Sequence, residues 1–287
     1  MATQAQIEQI IDVALAEDLG RGDRTTELVI PQNMGGTAGI IAKEPAVVCG
    51  GEIARIAFMK VDQTLQIKVN IPDGQKAKAG EPVLLVTGRV ASILKTERVA
   101  LNFLSHLSGV ATATSQFVEK VKGLDVKISD TRKTLPGLRL LEKYAVYAAG
   151  GQNHRPDLAS GIIIKDNHLV ALAARGVSIP DAIAKARAGA KGMKVEIEVQ
   201  NLEQLQQAIL GKPDIIMLDN MAIDDMKKAV KMVPASISLE ASGGITLENV
   251  RAVAETGVDV ISIGAITHSA RAIDFSLSFI TGRPPQA

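Results

Sequence analysis

VEIEVQNLEQLQQAILGKPDIIMLDN, residues 195–220, decides how the second half of this chain folds. Five residues, Val195 to Val199, alternate apolar and acidic, so Glu196 and Glu198 share one face. LEQLQQAIL (202–210) then carries apolar residues at helical spacing, and an apolar run from Ile215 stops at Asp219-Asn220. Strand, helix, strand within so few residues is a parallel βα unit, because two parallel strands need a crossover between them.

The unit recurs. Apolar strand candidates begin near Val126, Ile162, Val195, Ile215, Ile237 and Val258, and the last four starts lie 20, 22 and 21 residues apart. LENVRAVAETG (247–257) supplies a further helical spacer. Six such units predict an α/β barrel somewhat smaller than the full eight-fold form, with an open doubly wound sheet as the rival. The first half is mixed α+β. Residues 4–17 form an amphipathic helix with Ile7, Ile10, Ile11 and Leu15 on one face. GIIAK (39–43), LQIKV (65–69) and PVLLVTG (82–88) read as short strands between turn-rich pieces. A helical pattern follows from Ser92 to Val121, with a break expected near Ser108-Gly109, and AIDFSLSFI (272–280) alternates like a strand returning to the first domain.

Composition narrows the function classes. Of 287 residues, 46% are hydrophobic but only 2% aromatic, so the core is aliphatic and stacking platforms for single-stranded nucleic acid are lacking. A net charge of +1 without a basic block argues against a nucleic-acid surface. Cys49 is the single cysteine, which excludes an intrachain disulfide and a CxxC metal site. The N-terminal stretch lacks the basic start and apolar run of a signal peptide, and no apolar run approaches the ~18 residues of a membrane span. The expectation is a soluble, cytoplasmic protein that binds neither membrane nor nucleic acid.

In parallel α/β folds chemistry gathers at the C-terminal ends of the strands. The first end supplies Asp130-Thr131-Arg132-Lys133; IIIK ends at Lys165, shortly after Asn153-His154-Arg155. VEIEV carries Glu198, IIML ends at Asp219, ISLEA runs into Ser242-Gly243-Gly244, and VISI ends at Ile263 before Gly264-Ala265. Cations come early, carboxylates in the middle and glycine-rich loops last. Such loops bind phosphate through backbone N–H groups and a helix N-terminus. Carboxylates beside them suggest Mg²⁺, which is held by few carboxylates together with substrate oxygens. The residues thus point to a multiply anionic, phosphorylated substrate. Each has a plainer reading: Lys165 as a snorkelling lysine, Glu196 as an ion-paired packing residue, His106 as a satisfied core histidine, Arg21-Gly22-Asp23 as a chance tripeptide, and PDGQKAKAGEP as a structural hairpin.

Several strings together resemble the quinolinate phosphoribosyltransferase family: EDLGRGDRTT (17–26), ERVALNFLSHLSGVAT (97–112), DTRKTLPGLRLLEKYAVYAAGG (130–151), NHRPDL (153–158), IIIKDNH (162–168), VEIEV, MLDNM, EASGGIT and SIGAITHS. Ala149 stands where the family commonly has Gly. The resemblance implies an N-terminal α/β sandwich domain over residues 1–110, joined by a C-terminal strand within 271–287, and an incomplete parallel α/β barrel over 111–270. It implies a homodimer with shared active sites, or a higher oligomer of such dimers, and transfer of phosphoribosyl from phosphoribosyl pyrophosphate (PRPP) to quinolinate, with Mg²⁺, giving nicotinate mononucleotide, pyrophosphate and CO₂. Arg132, His154, Arg155 and Lys165 would line the quinolinate pocket, and Arg98 would arrive from the partner subunit. Lys133 would meet the phosphates of PRPP. Glu198 and Asp219 would face the ribose and the metal. Ser242, Gly243, Gly244 and Gly264 would hold the 5-phosphate, with Thr131, Ile263 and Ala265 beside the substrates. Lys133, Lys165, Glu198 and Asp219 form the expected catalytic set. The rivals are a paralogous phosphoribosyltransferase with another acceptor, an aldolase-type barrel using Lys165 as Schiff base, and a non-catalytic binding protein.

Overall fold

The computed structural model describes residues 3–280, so residues 281–287 of the expected last strand lie outside it. The chain divides into two compact units. One comprises the chain up to Ser115, Thr134–Gly150 and the chain from Ile266 onward; the other comprises Gln116–Lys133 and Gly151–Ala265.

The first unit begins with helix α1 (Gln4–Leu19), whose Thr3 cap exchanges hydrogen bonds with Gln6, and α2 (Arg24–Val29), capped by Asp23 Oδ1 accepting the Thr26 N–H at 3.0 Å. The acidic member of the Arg-Gly-Asp tripeptide is therefore a helix cap. Strands β1 (Gly35–Ala42) and β2 (Ala46–Val47), helix α3 (Gly51–Val61), strands β3 (Gln66–Val69), β4 (Lys76–Ala77) and β5 (Pro82–Arg89), and helix α4 (Val90–Lys120) follow. The expected hairpin stretch PDGQKAKAGEP connects the antiparallel strands β3 and β5, and within it β4 forms a two-residue ladder with β2. Near the chain end β12 (Phe275–Phe279) returns and pairs antiparallel with β1, making a four-stranded antiparallel sheet in the order β12-β1-β5-β3. Its core joins Ala38, Ile40 and Ala42 of β1 and Leu84 and Val86 of β5 to Phe58, Ile93 and Leu104 of the helices.

The expected break in α4 is absent: the helix runs unbroken through Ser108-Gly109. Both residues are there for packing. Ser108 Oγ accepts the Cys49 N–H at 2.9 Å and donates to the Cys49 carbonyl at 3.1 Å. Gly109 lets the Arg271 carbonyl approach so closely that a Cβ would lie 2.3 Å from its oxygen. Helix α5 (Arg139–Ala148) also belongs to this unit, where its Glu142 is fully buried and accepts from His106 of α4 at 2.8 Å.

The second unit holds six parallel strands: β6 (Lys127–Ser129), β7 (Ile162–Ile164), β8 (Val195–Val199), β9 (Ile215–Asp219), β10 (Ser238–Ser242) and β11 (Val260–Ser262). Helices α6 (Asp166–Ala173) and α7 (Ile179–Gly189) follow β7, α8 (Leu202–Gly211) follows β8, α9 (Ile223–Met232) follows β9, α10 (Val250–Ala254) follows β10, and α11 (Ala265–His268) follows β11. The sheet order is β6-β11-β10-β9-β8-β7. From β7 to β11 consecutive strands are neighbours and β11 pairs with β6, so the order never reverses as it would in a doubly wound sheet. The structure is an incomplete α/β barrel whose gap lies between β6 and β7. Gln152 partly covers the open side of β6, donating to the Ile128 carbonyl at 2.8 Å and accepting from the Asp130 N–H at 3.2 Å. Strand β8 shows why the barrel forms: Val195, Ile197 and Val199 are buried on one face, while Glu196 and Glu198 take the other. Carboxylates also serve at the strand starts. Asp214 accepts the Val195 N–H and Asp259 the Leu239 N–H, both at 2.7 Å, satisfying donors that the ladders leave over.

Candidate active site

Within the barrel unit, the parallel strands bring their C-terminal ends to one mouth, where the expected residues that end or follow the strands lie, from Thr131 after β6 to Ala265 after β11, while His154 and Arg155 line a cavity that strand-start residues also line. After β6, Thr131 Oγ1 accepts the Lys133 N–H at 3.0 Å, a tight turn that leaves Lys133 exposed and Arg132 half-buried. Lys165 follows β7 and its ammonium donates to Glu198 Oε1. This partly exposed, ion-paired lysine is not the desolvated amine that Schiff-base chemistry needs. Glu198 and Asp219 come from adjacent strands. Glu198 pairs with Met217, two residues before Asp219, so both carboxylates face the same way.

The last two loops are shaped by backbone. Gly243 and Gly244 have φ of +88° and +62°, and Asn220 after β9 also has a positive φ, +54°. Asn249 Nδ2 donates to the Gly244 carbonyl at 2.9 Å and its Oδ1 accepts the Thr246 N–H at 2.9 Å, which closes the loop. Ile263 is buried and donates its N–H to the Ser129 carbonyl at 2.9 Å, placing Gly264 and Ala265 at the mouth. The helices that follow are only five and four residues long. The loops thus carry backbone N–H groups with no long helix dipole behind them.

Arg155 and His154 lie in the loop beside the barrel gap. Arg155 Nη1 donates to the Gly161 carbonyl at 2.6 Å, while its Nε is buried with no partner. Burial, with the charge of Arg132, lowers the Arg155 pKa. Two such guanidiniums so close together are arranged for an anion of more than one charge. His154 is held by its neighbours. Its Nε2 faces Glu196 Oε2 at 3.2 Å and Glu240 Oε1 at 3.6 Å, and its Nδ1 accepts the Arg155 N–H at 2.9 Å. Both ring nitrogens are engaged within the barrel, so His154 lines the pocket without offering a ring nitrogen to a ligand. Burial raises the Glu196 pKa.

Glu240 and Ser262 are the members that the strand ends do not display, and Asp130, present at the first strand end, accepts the His154 N–H. The alternation SLEAS puts Glu240 on the face of Ser242, and that was the available signal. Arg98 lies in the first unit, exposed on α4 between half-buried Glu97 and buried Val99.

Glycine-shaped loops and paired carboxylates at the ends of parallel strands, with guanidiniums beside the gap, have the chemistry of a site for a phosphorylated anion. Comparison with known proteins specifies the class. Residues 23–108 match the model of the quinolinate phosphoribosyl transferase N-terminal domain, and residues 110–278 that of the C-terminal domain. The probable nicotinate-nucleotide pyrophosphorylase [carboxylating] of Bacillus subtilis is 41% identical, covering 95% of this chain and 93% of its own. The mitochondrial quinolinate phosphoribosyltransferase [decarboxylating] 2 of Nicotiana glauca is 36% identical over 96% of this chain and 82% of its own. The solved nicotinate-nucleotide pyrophosphorylase of Francisella tularensis superposes with a TM-score of 0.90 at 39% identity, covering 98% of each chain. The chain belongs to the quinolinate phosphoribosyl transferase family.

Proposed function

We propose that this chain transfers phosphoribosyl from PRPP to quinolinate with loss of CO₂, giving nicotinate mononucleotide and pyrophosphate in the formation of pyridine nucleotides. The observation that carries the reading is the division of labour around one barrel: guanidiniums and Lys165 beside the gap between β6 and β7, Glu198 and Asp219 at the ends of the middle strands, glycine loops after the last two.

In this reading Arg132, Arg155 and Lys165 orient the two carboxylates of quinolinate, and Lys133 meets the pyrophosphate. The N–H groups around Ser242-Gly243-Gly244 and Gly264-Ala265 hold the 5-phosphate. The pyridine nitrogen bonds to the anomeric carbon as the bond to pyrophosphate breaks. Glu198 and Asp219 stabilise the positive charge that develops on the ribose. In the pyridinium product the carboxylate next to nitrogen leaves as CO₂; its bonding electrons pass to the ring carbon, which takes up a proton. Holding the reactants in line accounts for a large part of the rate, up to about 7 kcal/mol or more.

Two hard oxygen ligands facing the same way from adjacent strands fit Mg²⁺. Glu198 and Asp219 would hold it, and its contribution would be neutralisation of the leaving pyrophosphate. The homodimer also belongs to the proposal, with Arg98 entering the partner's site. Mixing an Arg98→Ala protein with a Lys165→Ala protein would then restore activity in the heterodimer, and no recovery would count against shared sites. Among the described residues no helix is long and apolar enough to cross a membrane, and we place the reaction in the cytoplasm. The direct test is acceptor choice: with PRPP and Mg²⁺ the enzyme should consume quinolinate and leave nicotinate untouched. Equal use of nicotinate would refute the dicarboxylate pocket.

A further inference from the structure

A cavity of about 440 Å³ enters the barrel from the strand starts, where Lys127, Ile162, Lys194 and Ser238 line it, at the end away from the mouth. His154, Glu196 and Glu240 form part of its wall. Glu196 and Glu240 are each only 3% exposed. Two buried carboxylates this close are costly unless something requires them. What they share is His154 Nε2, at 3.2 Å and 3.6 Å. Ser262 Oγ in turn donates to Glu240 Oε1.

A divalent metal on these three groups is the obvious alternative, since their ligand atoms lie within 4.8 Å of one another. The hydrogen bonding opposes it. Nδ1 accepts the Arg155 N–H, so the ring's proton must sit on Nε2. A metal on Nε2 would leave neither nitrogen protonated and demand an imidazolate. Glu196 thus receives a hydrogen bond from the ring, Glu240 lies just beyond that range, and the two charges fix the ring's orientation.

That orientation reaches Arg155. The His154 N–H donates to Asp130 Oδ1 at 2.8 Å, the His154 ring holds the Arg155 N–H at 2.9 Å, and Arg155 Nη1 is anchored on Gly161. The peptide before His154 and the peptide after it are thus each held by one hydrogen bond. We propose that Glu196 and Glu240 are positioning residues which, through His154, fix the guanidinium of Arg155 for a substrate carboxylate. This rests on the reading of Arg155 as a quinolinate ligand, and it replaces direct substrate contact by the His154 ring with an indirect role.

The test compares two variants of the full-length protein with wild type. Glu196→Leu keeps the approximate volume but cannot accept from Nε2, whereas Glu196→Gln can. Loss of a buried hydrogen bond to a charged partner should raise the quinolinate KM about ten-fold or more in Glu196→Leu, with the PRPP KM within about two-fold of wild type. Glu196→Gln should recover most of the loss. A quinolinate KM unchanged in Glu196→Leu would overturn the proposal, as would both KM values rising together or equal defects in the two variants. If Glu196→Leu fails to fold, Ser262→Ala frees only Glu240 and should raise the quinolinate KM about three-fold; no change there would also overturn it. Wild-type protein that never turns over quinolinate would sink the proposed function and this inference together. An active wild type with indifferent variants would sink this inference alone.

Discussion

Gly243→Ala perturbs the loop after β10 in a way whose size follows from its surroundings. At φ +88° an alanine costs about 1 kcal/mol more than glycine. Its Cβ would also lie 2.3 Å from Asn220 Oδ1 and 2.5 Å from Asn220 Cγ, so the carboxamide must swing away. That movement gives up the Asn220 Nδ2 bond to Asp219 Oδ1, 3.1 Å long, which adds about 1 kcal/mol. The sum, about 2 kcal/mol, is a factor of about 30 if it falls on PRPP binding. Gly244→Ala separates the two contributions. At φ +62° with its nearest contact at 3.9 Å it carries only the backbone cost, about 1 kcal/mol or about five-fold. Gly80→Ala, at φ +85° in open space in the first unit, should lower stability alone and leave both KM values unchanged. Steady-state kinetics with PRPP and quinolinate varied in turn, alongside thermal melts, provide the readout. A Gly243→Ala protein with native stability and an unchanged PRPP KM would refute the phosphate-loop reasoning, as would a rise confined to the quinolinate KM.

Further predictions concern other links. Arg132→Ala should chiefly raise the quinolinate KM, because it removes a guanidinium from the anion pocket; isothermal titration with quinolinate would expose unchanged binding. Gly109→Ala improves helix propensity, yet should lose at least about 1 kcal/mol in urea unfolding, because its Cβ would meet the Arg271 carbonyl oxygen at 2.3 Å. Asp62 is held well below the usual carboxylate range by Arg89, against the opposing effect of burial, with Thr64 and Ser92 adding to the downward shift. A folded pKa below the unfolded one stabilises the protein above the unfolded value, near 4, and that stability disappears as pH falls through the folded value. Asp62→Asn should therefore be about 2 kcal/mol less stable at neutral pH, after discounting the solvent-exposed Arg89, and should show a flatter acid limb in stability measured against pH.

The barrel was legible because each strand is a short apolar run closed by a polar residue, and because the starts at Val195, Ile215, Ile237 and Val258 recur at nearly equal spacing. The rim residues followed from that pattern, since a residue just past the end of a parallel strand must sit at the mouth. Local signals misled where tertiary packing had set the residue. Ser108 and Gly109 look like helix breakers, but one hydroxyl binds the Cys49 backbone and one absent Cβ admits the Arg271 carbonyl. LENVRAVAETG reads as a long helix, yet only Val250–Ala254 is helical, because Thr246 and Asn249 are committed to closing the loop. Helix α5 sits between two barrel segments in sequence but packs in the other unit; an amphipathic face does not say which core it will cover. The partners of His154 needed the sheet order itself. Glu196 and Glu240 lie on β8 and β10, separated by β9, and only barrel curvature brings both to one imidazole.

The central claim is tested most directly by product stoichiometry: nicotinate mononucleotide, pyrophosphate and CO₂ measured together from quinolinate, PRPP and Mg²⁺. The account predicts equal amounts of all three, abolished when quinolinate is replaced by nicotinate. Pyrophosphate without CO₂, or a nucleotide that retains both carboxylates, would contradict it.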